Sequence, residues 1–103
     1  MPWRVSRYYE NGMHVIDICE PRDHDEKQFV LDILVTELNA KIGKVVIGPY
    51  FVMTYVQIEY LTVAFITDDA EGYPISITSR DEFALPIMLA IESVLKTELC
   101  PPT

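Results

Sequence analysis

The sequence predicts an α+β fold, a two-layer sandwich in which two helices cover one face of a mostly antiparallel sheet of four to five strands. Three observations predict it. Short runs of alternating apolar and polar residues indicate strands, two longer segments with apolar residues at helical spacing indicate helices, and short turns separate neighbouring strands. The 103 residues fit one domain over 1–103, and a hydrophobic content of 50% is ample for a core.

The first predicted element is a β-hairpin. Residues 3–9 and 13–19 form its strands, and Glu10-Asn11-Gly12 lies between them. Asn-Gly accepts the positive φ angles of a type I′ turn, whose twist suits two antiparallel strands. In the second strand the isoleucines on either side of Asp17 point to one face, so Asp17 points to the other.

The segment CEPRDHDE, residues 19–26, holds the densest set of chemically active side chains in the chain. It lies where a strand ends and a helix begins, so Asp23 or Asp25 is expected to cap the helix. The alternative makes His24 and its neighbouring carboxylates metal ligands. Zinc sites draw on several Cys or His residues, and only His14 and His24 exist here, so the sequence favours capping and predicts no metal.

The first helix is predicted over residues 26–42. Apolar residues recur there at helical spacing, and Gly43 is expected to end the helix in a left-handed conformation. The predicted apolar face consists of Leu31, Leu34, Val35, Leu38 and Ile42.

Strands follow. Residues 45–47 predict a short one, and residues 51–67 predict either one long bent strand or two strands joined near Glu59-Tyr60. Residues 68–72 have the composition of a turn, and residues 73–78 alternate again as a last strand.

The last helix is predicted to begin near residues 79–82, where Ser79 and Glu82 have the spacing of a capping box. Pro86 is expected either to kink this helix or to mark the true start of its long part. Residues 83–91 are apolar nearly all round. Such a segment is expected to be buried on several sides, by its own domain or by a second subunit, so a homodimer is plausible.

Charge and composition disfavour several classes of partner and location. Sixteen acidic residues against eight basic ones give a net charge of −8, which repels nucleic acid and anionic membranes and favours a basic protein partner. Residues 45–66 are apolar enough to be weighed as a membrane span, but Gln57, Glu59 and many β-branched residues indicate strands. Cys19 and Cys100 form no CxxC pair, and residues 1–12 lack a signal-peptide core, so a cytoplasmic protein is expected.

No motif for catalysis or for cofactor binding occurs. The chain has neither a glycine-rich phosphate loop nor a G-x-S-x-G elbow, and no cofactor is predicted. Cys19 would need His14 or His24 beside it as a base, and Asp17 with Glu59 could serve as acid and base only if the fold joined them. Enzyme activity is therefore the less favoured reading, although small α+β sheets can host sites that lack a local motif.

The most informative pattern is a predicted outer face of the sheet. If Val56, Ile58 and Tyr60 face the helices, then the residues that alternate with them face away, as does Asp17. Tyrosines among polar groups are typical of protein-contact surfaces, although tyrosine also suits exposed strands in general. Too few basic residues accompany the rings for RNA stacking. The predicted protein-binding residues are Tyr8, Asp17, Tyr55, Gln57 and Glu59.

The sequence therefore favours a small, non-catalytic protein-binding module, similar to an inhibitor or adaptor, that acts by occlusion of a basic site on its partner. The alternative is a small enzyme or ligand-binding domain with a pocket between sheet and helices.

Overall fold

A computed structural model describes residues 3–19, 26–68 and 75–100. In this part of the chain the elements follow the order ββα-ββββ-α, so the predicted α+β class is confirmed, with six strands instead of four to five. The strands are β1 (Arg4–Glu10), β2 (Met13–Cys19), β3 (Lys41–Ile47), β4 (Phe51–Ile58), β5 (Leu61–Asp68) and β6 (Ile75–Ser79), and the helices are α1 (Glu26–Leu38) and α2 (Leu85–Leu99).

The six strands form one antiparallel sheet in the order β1-β2-β6-β5-β4-β3. The chain builds the β1–β2 hairpin, crosses by way of α1 to the far edge, and returns strand by strand until β6 pairs with β2. Ile16 lies opposite Ile77, and Ile18 lies opposite Ile75. This seam joins the two ends of the chain in the middle of the sheet.

The first hairpin has the predicted turn. Glu10 lies opposite Met13, and the two residues between them have positive φ angles, 52° at Asn11 and 77° at Gly12. Two consecutive positive angles are the signature of a type I′ turn. The prediction from the Asn-Gly pair is therefore confirmed.

Both helices lie on the same face of the sheet. Alternate strand residues on that face join the buried residues of α1 and α2 in one hydrophobic cluster, and α2 packs directly on β1 and β2. The fully buried members with the largest side chains include Phe65, Ile16, Ile77, Leu34, Met88 and Ile91. This arrangement leaves the opposite face of the sheet uncovered by either helix.

Helix α1 ends four residues before the predicted position. Asn39 takes the left-handed conformation, with φ 55°, and the backbone amide of Ala40 donates to the carbonyl of Leu34 at 3.3 Å. Asparagine, like glycine, tolerates this conformation, so the helix stops before it reaches Gly43. Gly43 instead lies in β3 at a bulge, where an added Cβ would stand 3.2 Å from the carbonyl oxygen of Tyr55.

The predicted apolar face of α1 is correct only in part. Leu31 and Leu34 are buried and Leu38 is half-buried, but Val35 is 41% exposed and Ile42 belongs to β3. Val30 and Ile33, which the prediction omitted, complete the buried side.

Residues 51–68 form two strands, one of the two alternatives that the sequence left open. β4 and β5 meet at a two-residue turn, Glu59-Tyr60, with Ile58 opposite Leu61. The stretch that raised the question of a membrane span, residues 45–66, is thus spread over three strands. Within the described ranges, neither helix has the length and apolar character needed to cross a membrane.

Helix α2 begins at Leu85, with Pro86 in its first turn, as the second of the two alternatives for Pro86 anticipated. The predicted capping box does not form. Ser79 Oγ accepts a hydrogen bond from the Asp81 amide at 3.2 Å, and Asp81 Oδ1 accepts one from the Phe83 amide at 2.7 Å. These side chains form hydrogen bonds within the turn before the helix, so Ser79 does not cap α2 as predicted.

A partly buried ion cluster joins α2 to β1. Glu92 Oε1 lies 3.0 Å from Arg7 Nε, and Glu92 Oε2 lies 3.2 Å from Lys96 Nζ. Burial raises the pKa of Glu92, but the hydrogen bonds and positive charges of Arg7 and Lys96 outweigh this and hold the pKa below its ordinary value of 4.5. Just after the C-terminal end of α2, the Cys100 thiol donates to the carbonyl of Trp3 at 3.1 Å.

Candidate functional site

The outer face of the sheet is built from two rows of side chains that lie directly opposite one another on neighbouring strands. We define it by its members: Tyr8, Val15, Thr78, Ala64 and Tyr55 in one row, and Ser6, Asp17, Ser76, Ile66, Met53 and Val46 in the other. Because strand side chains alternate between faces, these residues point away from the helices.

One end of the outer face is polar. Ser76 Oγ donates a hydrogen bond to Asp17 Oδ1 at 2.8 Å. Partial burial, a hydrogen bond to Asp17, and the negative charges of Asp17 and Glu10 raise the pKa of Tyr8 above its ordinary value of 10.0. The phenol therefore stays protonated and acts as a hydrogen-bond donor. Asp17 thus accepts a hydrogen bond from the Ser76 hydroxyl and lies close to the Tyr8 phenol.

The other end of the outer face is apolar. Tyr55 on β4 is 37% exposed, and Met53, Ile66, Ala64 and Val46 around it are half-buried. None of these side chains carries a charge. The outer face thus runs from a hydroxyl and carboxylate cluster on β1, β2 and β6 to an apolar area on β5, β4 and β3.

Gln57 and Glu59 lie at the rim of this surface. Gln57 is exposed at the end of β4, and its Nε2 donates to the carbonyl of Glu59 at 3.3 Å. Glu59 is in the β4–β5 turn with φ 54°, so it does not continue the outer face. Tyr60, expected to face the helices, is 59% exposed in the same turn, and its hydroxyl donates to the carbonyl of Phe83 at 2.9 Å.

The five predicted binding residues therefore do not form one cluster. Asp17 on β2 and Tyr55 on β4 are separated by β6 and β5, three strand spacings or about 14 Å. The residues that connect them, above all Ile66 and Met53, were missed. Their alternation on β5 and β4 was visible in the sequence, but the order of the strands, which makes them neighbours of Asp17, was not.

The catalytic pairings weighed from the sequence do not assemble in the described residues. Asp17 is on β2, and Glu59 is in the turn at the end of β4, with two strands between. Cys19 and His14 lie at opposite ends of β2 and, being five residues apart, on opposite faces. Asp23, His24 and Asp25 lie outside the described residues. In the ranges that are described, no three His, Cys, Asp or Glu side chains group as metal ligands.

Two shallow cavities lie at the end of the sheet that carries the hairpin turns. One, of about 250 Å³, is lined by Leu38, Asn39, Lys41, Gln57 and Glu59. The second, of about 310 Å³, is lined by Tyr9, Gly12, His14, Arg80, Asp81 and Glu82.

The second cavity contains the more reactive set of side chains. The ring of Tyr9 lies 4.8 Å from that of His14, centroid to centroid, and His14 Nδ1 is buried with no hydrogen-bond partner among the described residues. Arg80 donates to the carbonyl of Asn11 at 3.3 Å. The carboxyl group with a lowered pKa, Glu92, is not among the lining residues.

Comparisons of the chain with models of protein families, with curated proteins and with solved structures find no match.

Proposed function

We propose that this chain is a non-catalytic protein-binding module whose outer face covers a site on another protein. The observation that carries the proposal is that both helices lie on one side of the sheet, so the opposite side presents its side chains directly. A sheet face with an apolar area needs a cover or a partner.

The composition of the outer face supports a protein as the partner. Tyrosine and methionine are enriched in protein interfaces because they supply contact area with adaptable or amphipathic side chains. Tyr55 and Met53 provide such area at one end, while Tyr8 offers an exposed phenol group at the other. The contact would therefore be apolar on one side and polar on the other.

Net charge supports a basic partner. The chain carries −8, yet Asp17 is the only charged side chain among the residues that define the outer face. Long-range charge would speed the encounter, and the uncharged area would provide the contact itself. The binding rate is therefore expected to fall as salt is raised. Cys19 and Cys100 are both free thiols, which suits a reducing cytoplasm, where we propose that the protein acts.

The proposal is tested with a photo-crosslinking amino acid at position 55 and, as the matched control, at position 50. Tyr50 is the more exposed tyrosine, at 77% against 37% for Tyr55, but it lies in the loop between β3 and β4. Crosslinking in cell extract is expected to yield a defined protein from position 55 and not from position 50. The captured protein is then purified, and binding is measured directly.

With the purified partner, Tyr55→Ala and Met53→Ala are each expected to weaken binding about tenfold or more, as for residues near the centre of an interface. Tyr50→Ala is expected to leave it unchanged. Binding that survives both changes would contradict the proposal that the outer face is the contact surface. A captured protein with an acidic contact surface would contradict the proposal of a basic partner.

A second candidate function, small-ligand binding, is favoured by the cavity at His14. A buried ring nitrogen with no partner is a group that a ligand could satisfy. The cavity, of about 310 Å³, is at the small end of the range for ligand pockets.

A thermal-shift screen of metabolites tests this candidate, because a ligand that binds the folded state raises the melting temperature. A compound that shifts the unaltered protein but not His14→Ala would support it. A screen without such a compound would count against it.

A further inference from the structure

The edge formed by β1 presents a regular row of backbone groups that have no strand partner among the described residues. In the type I′ turn, the Met13 amide and the Glu10 carbonyl face each other, so Glu10 and every second residue before it bond to β2. The amides and carbonyls of the alternating residues, Val5, Arg7 and Tyr9, consequently point to the free side of the sheet. β1 stands first in the order of the described strands.

Apart from its charged side chains, among them Arg7 on the helix side, this edge has fewer protections against pairing with another chain than the opposite edge. β1 runs for seven residues in unbroken register with β2, without proline and without a bulge. The opposite edge, β3, has a bulge between Ile42 and Val45 and carries Lys41 and Lys44. Bulges and lysines are the devices that block edge-to-edge pairing, so the two edges differ in kind.

The sequence of β1, RVSRYYE, is complementary to itself when read antiparallel. With Arg7 opposite Arg7 of a second copy, Arg4 lies opposite Glu10 at both ends of the paired strands. In the same register Val5 lies opposite Tyr9. The backbone groups of Val5, Arg7 and Tyr9, which point to the free edge, then all form hydrogen bonds with the second copy. A shift by two residues in either direction leaves one of them unpaired and separates Arg4 from Glu10.

Arg7 forms the one like-charged pair in this register, and a carboxylate already binds it. Its guanidinium is held by Glu92 at 3.0 Å, and Glu92 also lies 3.2 Å from Lys96. At the two-fold axis, two arginines would therefore meet with two glutamates close by, which reduces the cross-strand repulsion that two bare charges would cause.

Helix α2 also presents an apolar side in the direction of this edge. At 100° per residue, Leu85 and Leu89 fall within about 60° of Glu92 on the helix surface. Glu92 reaches Arg7 on β1, so the two leucines lie on the same flank. They are 42% and 41% exposed, although residues 84, 87, 88 and 91 around them are buried.

The position of α2 suits a helix pair. Helix α2 packs on β1, the edge strand, and on its neighbour β2. Pairing β1 with β1 would set the two sheets side by side at one strand spacing, about 4.8 Å, and bring the two α2 helices toward each other across the new seam. Leu85 and Leu89 would be covered by the same helix of the second copy.

We propose that the protein forms a two-fold symmetric dimer in which β1 pairs antiparallel with β1 of a second copy, centred on Arg7, and the two α2 helices pack beside it. The product is a continuous sheet with the outer faces of both copies on one side. The inference does not depend on the binding function proposed above.

A charge-swap cycle tests the proposal by analytical ultracentrifugation of the full chain. The unaltered protein is expected to sediment as a dimer. Arg4→Glu places two glutamates opposite each other at both ends of the paired strands, and Glu10→Arg places two arginines there. Each single change is expected to weaken the dimer about tenfold. The double variant Arg4→Glu/Glu10→Arg restores opposite charges and is expected to restore the dimer. Arg4 and Glu10 are both exposed, so folding is not at risk.

Two further changes separate this interface from other ones. Leu89→Lys is expected to weaken the dimer, whereas Lys41→Glu on the β3 edge is expected to leave it intact. A chain that sediments as a monomer at all accessible concentrations would overturn the proposal. A dimer lost in Lys41→Glu, or one that the double swap fails to restore, would overturn it as well.

Discussion

Phe65 is the largest fully buried side chain in the part of the chain that the structure describes. It lies on the helix side of β5, opposite Thr54 on β4 and Ile77 on β6, with no exposed surface. Phe65→Ala would remove a ring from a close-packed centre, where the surroundings refill the space only in part. The free energy of unfolding, measured by urea titration, is expected to fall by about 3–5 kcal/mol.

Phe83 is the matched control for this change. Its side chain is 66% exposed, and only its backbone takes part in the bonds to Asp81 and Tyr60. Phe83→Ala is expected to change the free energy of unfolding by less than about 0.5 kcal/mol. Equal losses for the two variants would contradict the position of Phe65 in the core.

Glu92 gives the stability of the fold a dependence on pH. Because its pKa in the folded chain lies below 4.5, the ionised carboxylate stabilises the fold at pH values above 4.5. This contribution is lost as pH falls through the folded-state pKa, where the carboxylate takes up a proton. Glu92→Gln is expected to cost on the order of 1 kcal/mol at pH 7, and the difference from the unaltered protein should vanish in acid.

Urea titrations at a series of pH values measure this difference. Glu59→Gln serves as the control, because Glu59 is exposed in a turn and makes no ion pair in the described residues. Its difference from the unaltered protein is expected to stay small at every pH. A difference for Glu92→Gln that grew on acidification would show that the carboxylate does not act through Arg7 and Lys96.

At the scale of the elements, the β4–β5 turn is the least favourable local conformation in the described chain. Glu59 has a positive φ of 54° while Tyr60 does not, a combination that indicates a type II′ turn. That turn prefers glycine at its first central position, since other residues meet a steric penalty there. Glu59→Gly is therefore expected to raise the free energy of unfolding by roughly 0.5–1 kcal/mol.

Glu59→Ala separates relief of this strain from loss of the carboxylate. Alanine keeps the Cβ atom and removes the charge, so thermal and urea unfolding are expected to show no comparable gain. Stabilisation by alanine as large as that by glycine would mean that the charge, and not the backbone angle, is the unfavourable feature.

The elements that the sequence predicted well are those with a local signal. Asn11-Gly12 specified the first turn, and alternation specified β2 and β6. One error arose where two residues could serve the same purpose, because Asn39 ended α1 before Gly43 could. The turn at Glu59-Tyr60 was only one of two alternatives, since neither residue favours a turn. Pro86 allowed two interpretations, and the bonds made by Ser79 and Asp81 decided between them.

The sequence predicted which face of the sheet carries the candidate site, but not which residues make up most of it. Alternation alone indicated that Tyr55 and Asp17 point away from the core, which the structure bears out in their burial and register. The connection between the site's polar end and its apolar area depends on β6 pairing with β2, a long-range pairing with no signature in the sequence. Glu59 was misplaced because alternation was extended past the end of β4.

At the scale of the whole molecule, the sheet order explains which parts of the fold depend on each other. The middle of the sheet pairs β2 with β6, which are about sixty residues apart in sequence, while β3 pairs only with its neighbour β4. The pairing of β2 with β6 needs both ends of the chain in place, so separating these two strands requires the whole chain to unfold. β3 can detach from β4 at smaller cost, because Ile42, Val45 and Ile47 are about half or more exposed.

Amide hydrogen exchange followed by NMR measures this difference in local stability. The bonded amides of β2 and β6, around Ile16 and Ile77, are expected to exchange only through global unfolding and to share the free energy found by urea titration. The bonded amides of β3, around Val45, are expected to exchange orders of magnitude faster, because the bulge and the exposed edge let this strand open alone. Variants in the core such as Phe65→Ala should speed exchange in the seam and leave β3 almost unchanged. Equal protection of β3 and β6 would mean that the sheet opens as one unit, and the edge strand would then be as firmly held as the centre.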